Sequence, residues 1–194
     1  DAAVERILAG RPDVVVVATG PAEMAEIVGK SAAQGFKGRF VGSVPTYNPA
    51  LLTSEAAPAS KALYHFVSPW GPWGSDTPAH QAMEQAAGGK APANDGYTFG
   101  WIWSYPLKAV LERAVQNGDL TRAGVRAAVT QVTVDYEGAL PDKTYNGEPN
   151  QTAVRQAQIA KPDESAPLGS SVLKDFFVGP TAEKFDFTKP CVAA

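Results

Sequence analysis

Residues able to do acid–base, metal or nucleophilic chemistry are few and scattered. The 194 residues include 2 histidines and 1 cysteine. His65 lies inside an apolar, aromatic run (ALYHFVS) with no second histidine or carboxylate cluster near it in sequence, so it reads as a strand histidine bonded locally. Neither histidine is placed to assist a nucleophile at Thr19 or Thr46. Asp142 and Glu148 share a polar, Gly- and Pro-containing stretch, where solvated carboxylates make poor general acids. There is no Gly-x-Ser-x-Gly elbow and no P-loop, and the first apolar run ends Thr19-Gly20-Pro21 without a dinucleotide glycine pattern. Metal-ligand spacing is absent, and no cofactor is expected. What remains is recognition chemistry. Neutral and aromatic residues concentrate at predicted loops and helix starts: Thr19, Gly20, Pro21, Val44, Thr46, Tyr47, Trp70, Trp73, Tyr97 and Trp101. Apolar and aromatic walls with a few polar groups are the equipment of a small-molecule cleft. Trp70 and Trp73 stand in Pro69-Trp70-Gly71-Pro72-Trp73-Gly74, which cannot be a regular element. Such loop tryptophans either close over a core edge or line a cleft, and both readings stay open.

The elements that position these residues start with a strand–helix–strand unit over residues 13–48. Residues 14–18 are unbroken and apolar, which suits a strand buried on both faces of a parallel sheet. From Ala22 the period changes. Met24, Ile27, Val28, Ser31, Ala32 and Gly35 fall on one side of a helix, and Gly35 is its expected C-cap. Arg39-Phe40-Val41-Gly42 reads as the second strand. Open α/β sheets bind ligands beyond the carboxyl ends of their strands. Those ends are residues 19–21 and 43–48, where the helix also aims free N–H groups.

Hydrophobic content of 44% and charged content of 19% predict a folded chain. A net charge of −3, without a Lys/Arg run, gives no surface for nucleic acid. No apolar stretch approaches the roughly 18 residues of a membrane span. Cys191 is either a free thiol or half of a bridge to something outside this chain. The first residues read as a helix running straight into a strand, as expected of a fragment of a longer protein.

Further along, residues 1–10 predict a helix, 49–53 a helical turn, 55–60 a solvated stretch and 62–68 a third strand. Thr77 and Pro78 start a helix through Ala87. Residues 95–117 form the longest helix, aromatic at its start and expected to kink or break at Pro106. Thr121 caps another helix, and Val132-Thr133-Val134 extends into a strand. Residues 137–150 read as a long surface loop, 151–160 as a strand with one exposed face, and 171–178 as either strand or helix.

Several features in order resemble a known family. Pro12-Asp13 enters the strand, Glu23-Met24 opens the helix, and Gly35-Phe36, Phe40-Val41-Gly42 and Asn48 follow. Gly100-Trp101 precedes Val110-Leu111-Glu112-Arg113, and Gly118-Asp119-Leu120-Thr121-Arg122 makes a helix junction. Together they resemble the leucine/isoleucine/valine-binding family of type I periplasmic solute-binding proteins of ABC transporters, from Asp1 to about Val134. The resemblance implies an α/β fold of two doubly wound parallel-sheet lobes joined by three crossings, here represented by the C-terminal portion. It places residues 1–64 in the second lobe, 65–131 in the first, and 132–194 back in the second. It implies no enzymatic activity, but delivery of a small molecule to a membrane ABC permease by hinge closure, in an exported, periplasmic or cell-surface protein made with a signal peptide. It also implies a missing N-terminal half, which would hold the groups that grip an α-carboxylate and any bridge partner of Cys191. A ligand-sensing domain on the same fold is the alternative. By position, the family's ligand-packing aromatic falls at Gly20, the acid that pairs an ammonium group at Val44, and a further aromatic at or next to Tyr97. Val44 cannot hold an ammonium ion, so the implied ligand is bulkier, aromatic or less polar than an ordinary α-amino acid, unless an acid elsewhere replaces it.

Overall fold

The computed structural model describes residues 2–187, so the expectations for Cys191 lie outside the described residues. In chain order the elements are α1 (Ala2–Gly10), β1 (Val14–Val16), α2 (Pro21–Ala33), β2 (Arg39–Ser43), 3-10 turns at Val44–Thr46 and Pro49–Thr53, α3 (Ala57–Leu63) and β3 (Tyr64–Ser68). Next come α4 (Pro78–Ala86), α5 (Gly96–Gln116), α6 (Arg122–Val129), β4 (Thr133–Val134), β5 (Lys143–Thr144) and α7 (Pro149–Thr152). β6 (Gln156–Pro162), β7 (Ser170–Val178) and α8 (Pro180–Lys184) follow. The chain divides into two compact units and passes between them three times, after Pro72, Gln156 and Phe176. The reading from sequence set its breaks at 64/65 and 131/132.

The first unit holds the residues up to Pro72 and Ala157–Phe176. Its sheet has the order β1-β2-β3-β6-β7. β1, β2 and β3 are parallel, with Val15 opposite Phe40 and Phe40 opposite Tyr64, while β6 runs antiparallel to β3. The period-two alternation places Phe40, Tyr64, Phe66 and Ala160 on one face, where they bury against Met24 and Val28 of α2. The C-cap of α2 is Gln34, and Gly35, the expected cap, is the residue after it. With φ at +88°, its N–H donates to the Ala32 carbonyl (2.9 Å), and the Phe36 N–H donates to that of Ser31 (3.0 Å).

The second unit holds Trp73–Gln156 and the residues from Phe177 on. Here α5 buries Ile102, Val110 and Ala114 and packs on α6, which buries Ala128. Thr77 and Thr121 cap their helices, accepting from the N–H groups of His80 (3.3 Å) and Gly124 (3.2 Å).

Several expectations are corrected. The strand at Val14 is three residues long and lies at the sheet edge; Val16 is 80% exposed, because the face it shares with Val14 and Val67 is left open. The stretch 55–60 is not solvated loop. It leads into α3, whose small residues allow close packing on α2: a Cβ at Gly29 would stand 3.4 Å from that of Ala56. α5 runs through Pro106 without the break that was one of the two expectations there, although proline removes one helical N–H. The loop 137–150 contains β5, which pairs with β4, and it buries Ala139. The strand expected from Gln151 begins at Gln156, after the short α7. Residues 171–178 are strand, within β7.

Met24 is fully buried at the centre of the first core. Met24→Ala is expected to lower stability by about 2–5 kcal/mol, read as a lower denaturant midpoint with little change in slope.

Candidate functional site

The parallel pairing of β1, β2 and β3 brings three connections to one edge of the sheet. Thr19, Gly20 and Pro21 follow β1. Val44, Thr46 and Tyr47 follow β2, and Trp70 follows β3. Gly20 is the N-cap of α2 with Pro21 in its first turn, and the Thr19 hydroxyl donates to the Gly20 carbonyl (3.1 Å). A side chain at Gly20 would meet the Glu23 carboxylate at 2.7 Å, so that carboxylate already occupies the helix N-terminus. Val44 packs half-buried against the core.

Thr46 and Tyr47 are bound into the unit itself. The Thr46 hydroxyl accepts from the Ser43 N–H (3.0 Å) and pairs with the Tyr64 hydroxyl. Tyr47 stacks on Phe66, with ring centroids 4.8 Å apart, and donates its hydroxyl to the Gly169 carbonyl. Burial pushes the Tyr47 phenol up, with further repulsion from Tyr64 and Asp163. Burial also pushes Tyr64 up, to about 12, against a smaller opposing effect of its bond to Thr46. Gly42 leaves the room these hydroxyls need: a Cβ there would stand 2.2 Å from Thr46 Oγ1 and 2.3 Å from the Tyr64 hydroxyl. Trp70 is half-buried, and its backbone N–H and C=O both bond Ser68 Oγ (3.3 and 2.6 Å). His65 is bonded locally, its Nε2 3.4 Å from Arg39 Nη1. Burial, then Arg39 and Lys161, lower its pKa.

The second unit brings Trp73, Tyr97 and Trp101 together. Trp73 meets Tyr97 edge-on at 5.7 Å, and Tyr97 stacks on Trp101 at 6.2 Å. Sequence reasoning missed how the cluster continues. Trp101 Nε1–H donates to the Tyr105 hydroxyl (3.4 Å), which donates to Glu137 Oε2 (2.7 Å), and the Tyr105 ring lies 5.9 Å from that of Tyr136. The four-residue spacing of Tyr97, Trp101 and Tyr105 was the available signal, since it stacks side chains along one helix face. Among the described residues, no group of three or more His, Cys, Asp or Glu could hold a metal ion, and no helix is long and apolar enough to cross a membrane.

A family model described as periplasmic binding protein matches residues 1–167. The chain belongs to the periplasmic binding protein family. A fatty acid ABC transporter substrate-binding protein from Thermomonospora curvata is similar at a TM-score of 0.84 and 26% identity, over 95% of this chain and 48% of that one. A branched chain amino acid ABC transporter from Thermus thermophilus, with bound valine, gives a TM-score of 0.70 at 16% identity, over 94% of this chain and 50% of that one. A solute-binding protein of an ABC transporter from R. palustris, in complex with benzoate, gives 0.63 at 16% identity, over 94% and 49%. No curated protein sequence matches the chain. This member of the family spans about half the length of the solved structures it matches. Its fold is the type I periplasmic-binding-protein fold, α/β with a mostly parallel sheet. Its relatives are periplasmic or extracellular substrate-binding proteins, not enzymes.

The raised Tyr64 pKa carries a sign. The phenol stays neutral in the folded unit to about pH 12 but ionises near 10.0 in the unfolded chain. Its contribution to stability is therefore complete below pH 10 and lost as pH rises toward 12. Tyr64→Phe is expected to be less stable at neutral pH by about 0.5–1.5 kcal/mol and to lose less stability on alkaline titration. Denaturant midpoints measured across that range check both.

Proposed function

We propose that the whole protein is the solute-binding component of an ABC importer. It is exported to the periplasm or cell surface by a signal peptide. It closes two lobes over a small molecule and presents it to a membrane permease without chemical change. The first unit belongs to the C-terminal lobe and the second to the N-terminal lobe. The observation that carries the ligand class is the joined Trp73, Tyr97 and Trp101 cluster. The cluster suits a ligand with an aromatic or apolar body, amino-acid-like molecules included.

The N-terminal half of the same protein is the partner we assign to the open sheet face. Val14, Val16 and Val67 are apolar and exposed there, on a chain about half as long as its structural relatives. Burying such a face is the ordinary requirement of a sheet in a layered α/β fold.

Two measurements test these readings. A thermal-shift panel on the full-length protein would cover branched-chain and aromatic amino acids, aromatic acids, amides and fatty acids. One class is expected to raise the midpoint; at a hundred-fold excess over Kd, the stabilisation is about 2.7 kcal/mol. Turnover of any compound without a shift would count against a binding protein. For the partner, this chain is expected to form a one-to-one complex with the separately produced N-terminal half on size exclusion. Val16→Lys is expected to weaken that complex at least about ten-fold and to change the chain's own stability by no more than about 0.5 kcal/mol.

A further inference from the structure

The chain carries one reactive dipeptide twice, in two different backbone settings. Asn117-Gly118 and Asn146-Gly147 each place a side-chain amide next to the one residue whose backbone nitrogen no Cβ shields. In such a pair the glycine nitrogen and the asparagine Cγ can close a five-membered ring. Closure needs rotation about the asparagine ψ and a glycine N–H able to give up its proton. All four residues are exposed, so access to water does not separate the pairs.

Hydrogen bonding does. Asn117 is the C-cap of α5, with helical φ and ψ of −75° and −10°. Its N–H donates to the Arg113 carbonyl (2.9 Å), the Gly118 N–H to that of Val115 (3.0 Å) and the Asp119 N–H to that of Ala114 (3.1 Å). Its Nδ2 donates to Gln131 Oε1 (3.1 Å). Turning ψ breaks several of these bonds together. Asn146 lies between β5 and α7, and its N–H makes one long bond, to Thr144 Oγ1 at 3.4 Å. Among the described residues, neither its side-chain amide nor the Gly147 N–H makes a hydrogen bond. Gly147 itself is required by the turn: its φ is 118°, and a Cβ would stand 3.1 Å from Thr152 Cγ2. The fold thus demands glycine at the position that makes Asn146 reactive.

We propose that this backbone setting makes Asn146 a site of spontaneous deamidation, while the end of α5 spares Asn117. The Gly147 nitrogen loses its proton to water or hydroxide and attacks Asn146 Cγ. A new C–N bond forms, the bond from Cγ to Nδ2 breaks, and Nδ2 takes up a proton and leaves as ammonia. Water then opens the ring at either carbonyl and leaves aspartate or isoaspartate at position 146. The sum is one water consumed and one ammonia released, with nothing oxidised or reduced. The product carries one more negative charge two residues before Glu148, and isoaspartate lengthens the main chain between β5 and α7 by one methylene.

The test is ageing of the full-length protein in neutral and in mildly alkaline buffer, followed by tryptic peptide mapping with mass spectrometry. Each pair falls in its own peptide, 114–122 and 144–155. In the folded protein Asn146 is expected to react at least about ten-fold faster than Asn117, and faster still in the alkaline buffer. In denaturant, where neither pair keeps its bonds, the two rates are expected to agree within about three-fold. Asn146→Gln, whose longer side chain must close a larger ring, is expected to leave peptide 144–155 unmodified over the same interval. That outcome assigns the change to position 146 and not to Asn150. An intact Asn146 in the folded protein overturns the proposal, and so does Asn117 reacting as fast. A gap that persists in denaturant overturns it too, because the cause then lies in the sequence and not in the fold. So does modification of peptide 144–155 that survives Asn146→Gln.

Discussion

The hydroxyl of Tyr64 is a polar atom at the heart of an apolar core, and the carboxyl edge of the first sheet is arranged around satisfying it. Tyr64 is fully buried, in a ring stack with Tyr47 and Phe66. A buried hydroxyl without a partner costs on the order of 1–3 kcal/mol. Thr46 supplies the partner, and the same Thr46 oxygen closes the 3-10 turn back onto Ser43. The arrangement is possible only because Gly42 carries no side chain. One requirement thus fixes the end of β2, the turn after it and the inward lean of Tyr47. A loop that a sequence shows only as Ser-Val-Pro-Thr-Tyr-Asn is a rigid corner, and its hydroxyls serve the fold.

The two units therefore differ in what their polar and aromatic groups do. In the first, the edge residues are small, neutral and bonded to their own backbone, so they shape a surface more than they grip one. In the second, the polar and aromatic groups form a connected row from Trp73 to Glu137, with Tyr97 partly in solvent. Rings held by one another have little side-chain freedom left to lose.

How legible this was depended on the range of the interaction. The α2 helix, its glycine end and the caps at Thr77 and Thr121 are local events, and spacing announced them. The error at 55–60 has the opposite cause. Ala, Pro and Ser resemble loop composition, yet small residues are what let α3 approach α2. The break allowed for at Pro106 does not occur, and α5 continues through it. Trp73, Tyr97 and Trp101 were legible as candidates by type. The meeting of Tyr105 with Glu137, 32 positions away, was not, because no local pattern encodes a long-range contact.

The clearest mismatch between sequence and surroundings is β1. Three valines in a row are what a strand needs when both its faces and both its edges are covered. Natural sheets protect a free edge with charge, proline, a bulge or brevity. Here Pro12 and Asp13 come before the strand, and the strand itself presents Val14 and Val16 to solvent beside the free edge. The same open face continues across β3 at Val67. Charge and proline stand only before the strand, at Asp13 and Pro12, and none lies within it, while Glu5, Arg6, Glu26 and Lys30 are spent on helix surfaces that are wet in any case. The pattern is that of an interior strand. The reading of 14–18 as buried on both faces erred about the environment of the strand in this chain, and its chemistry still asks for that environment.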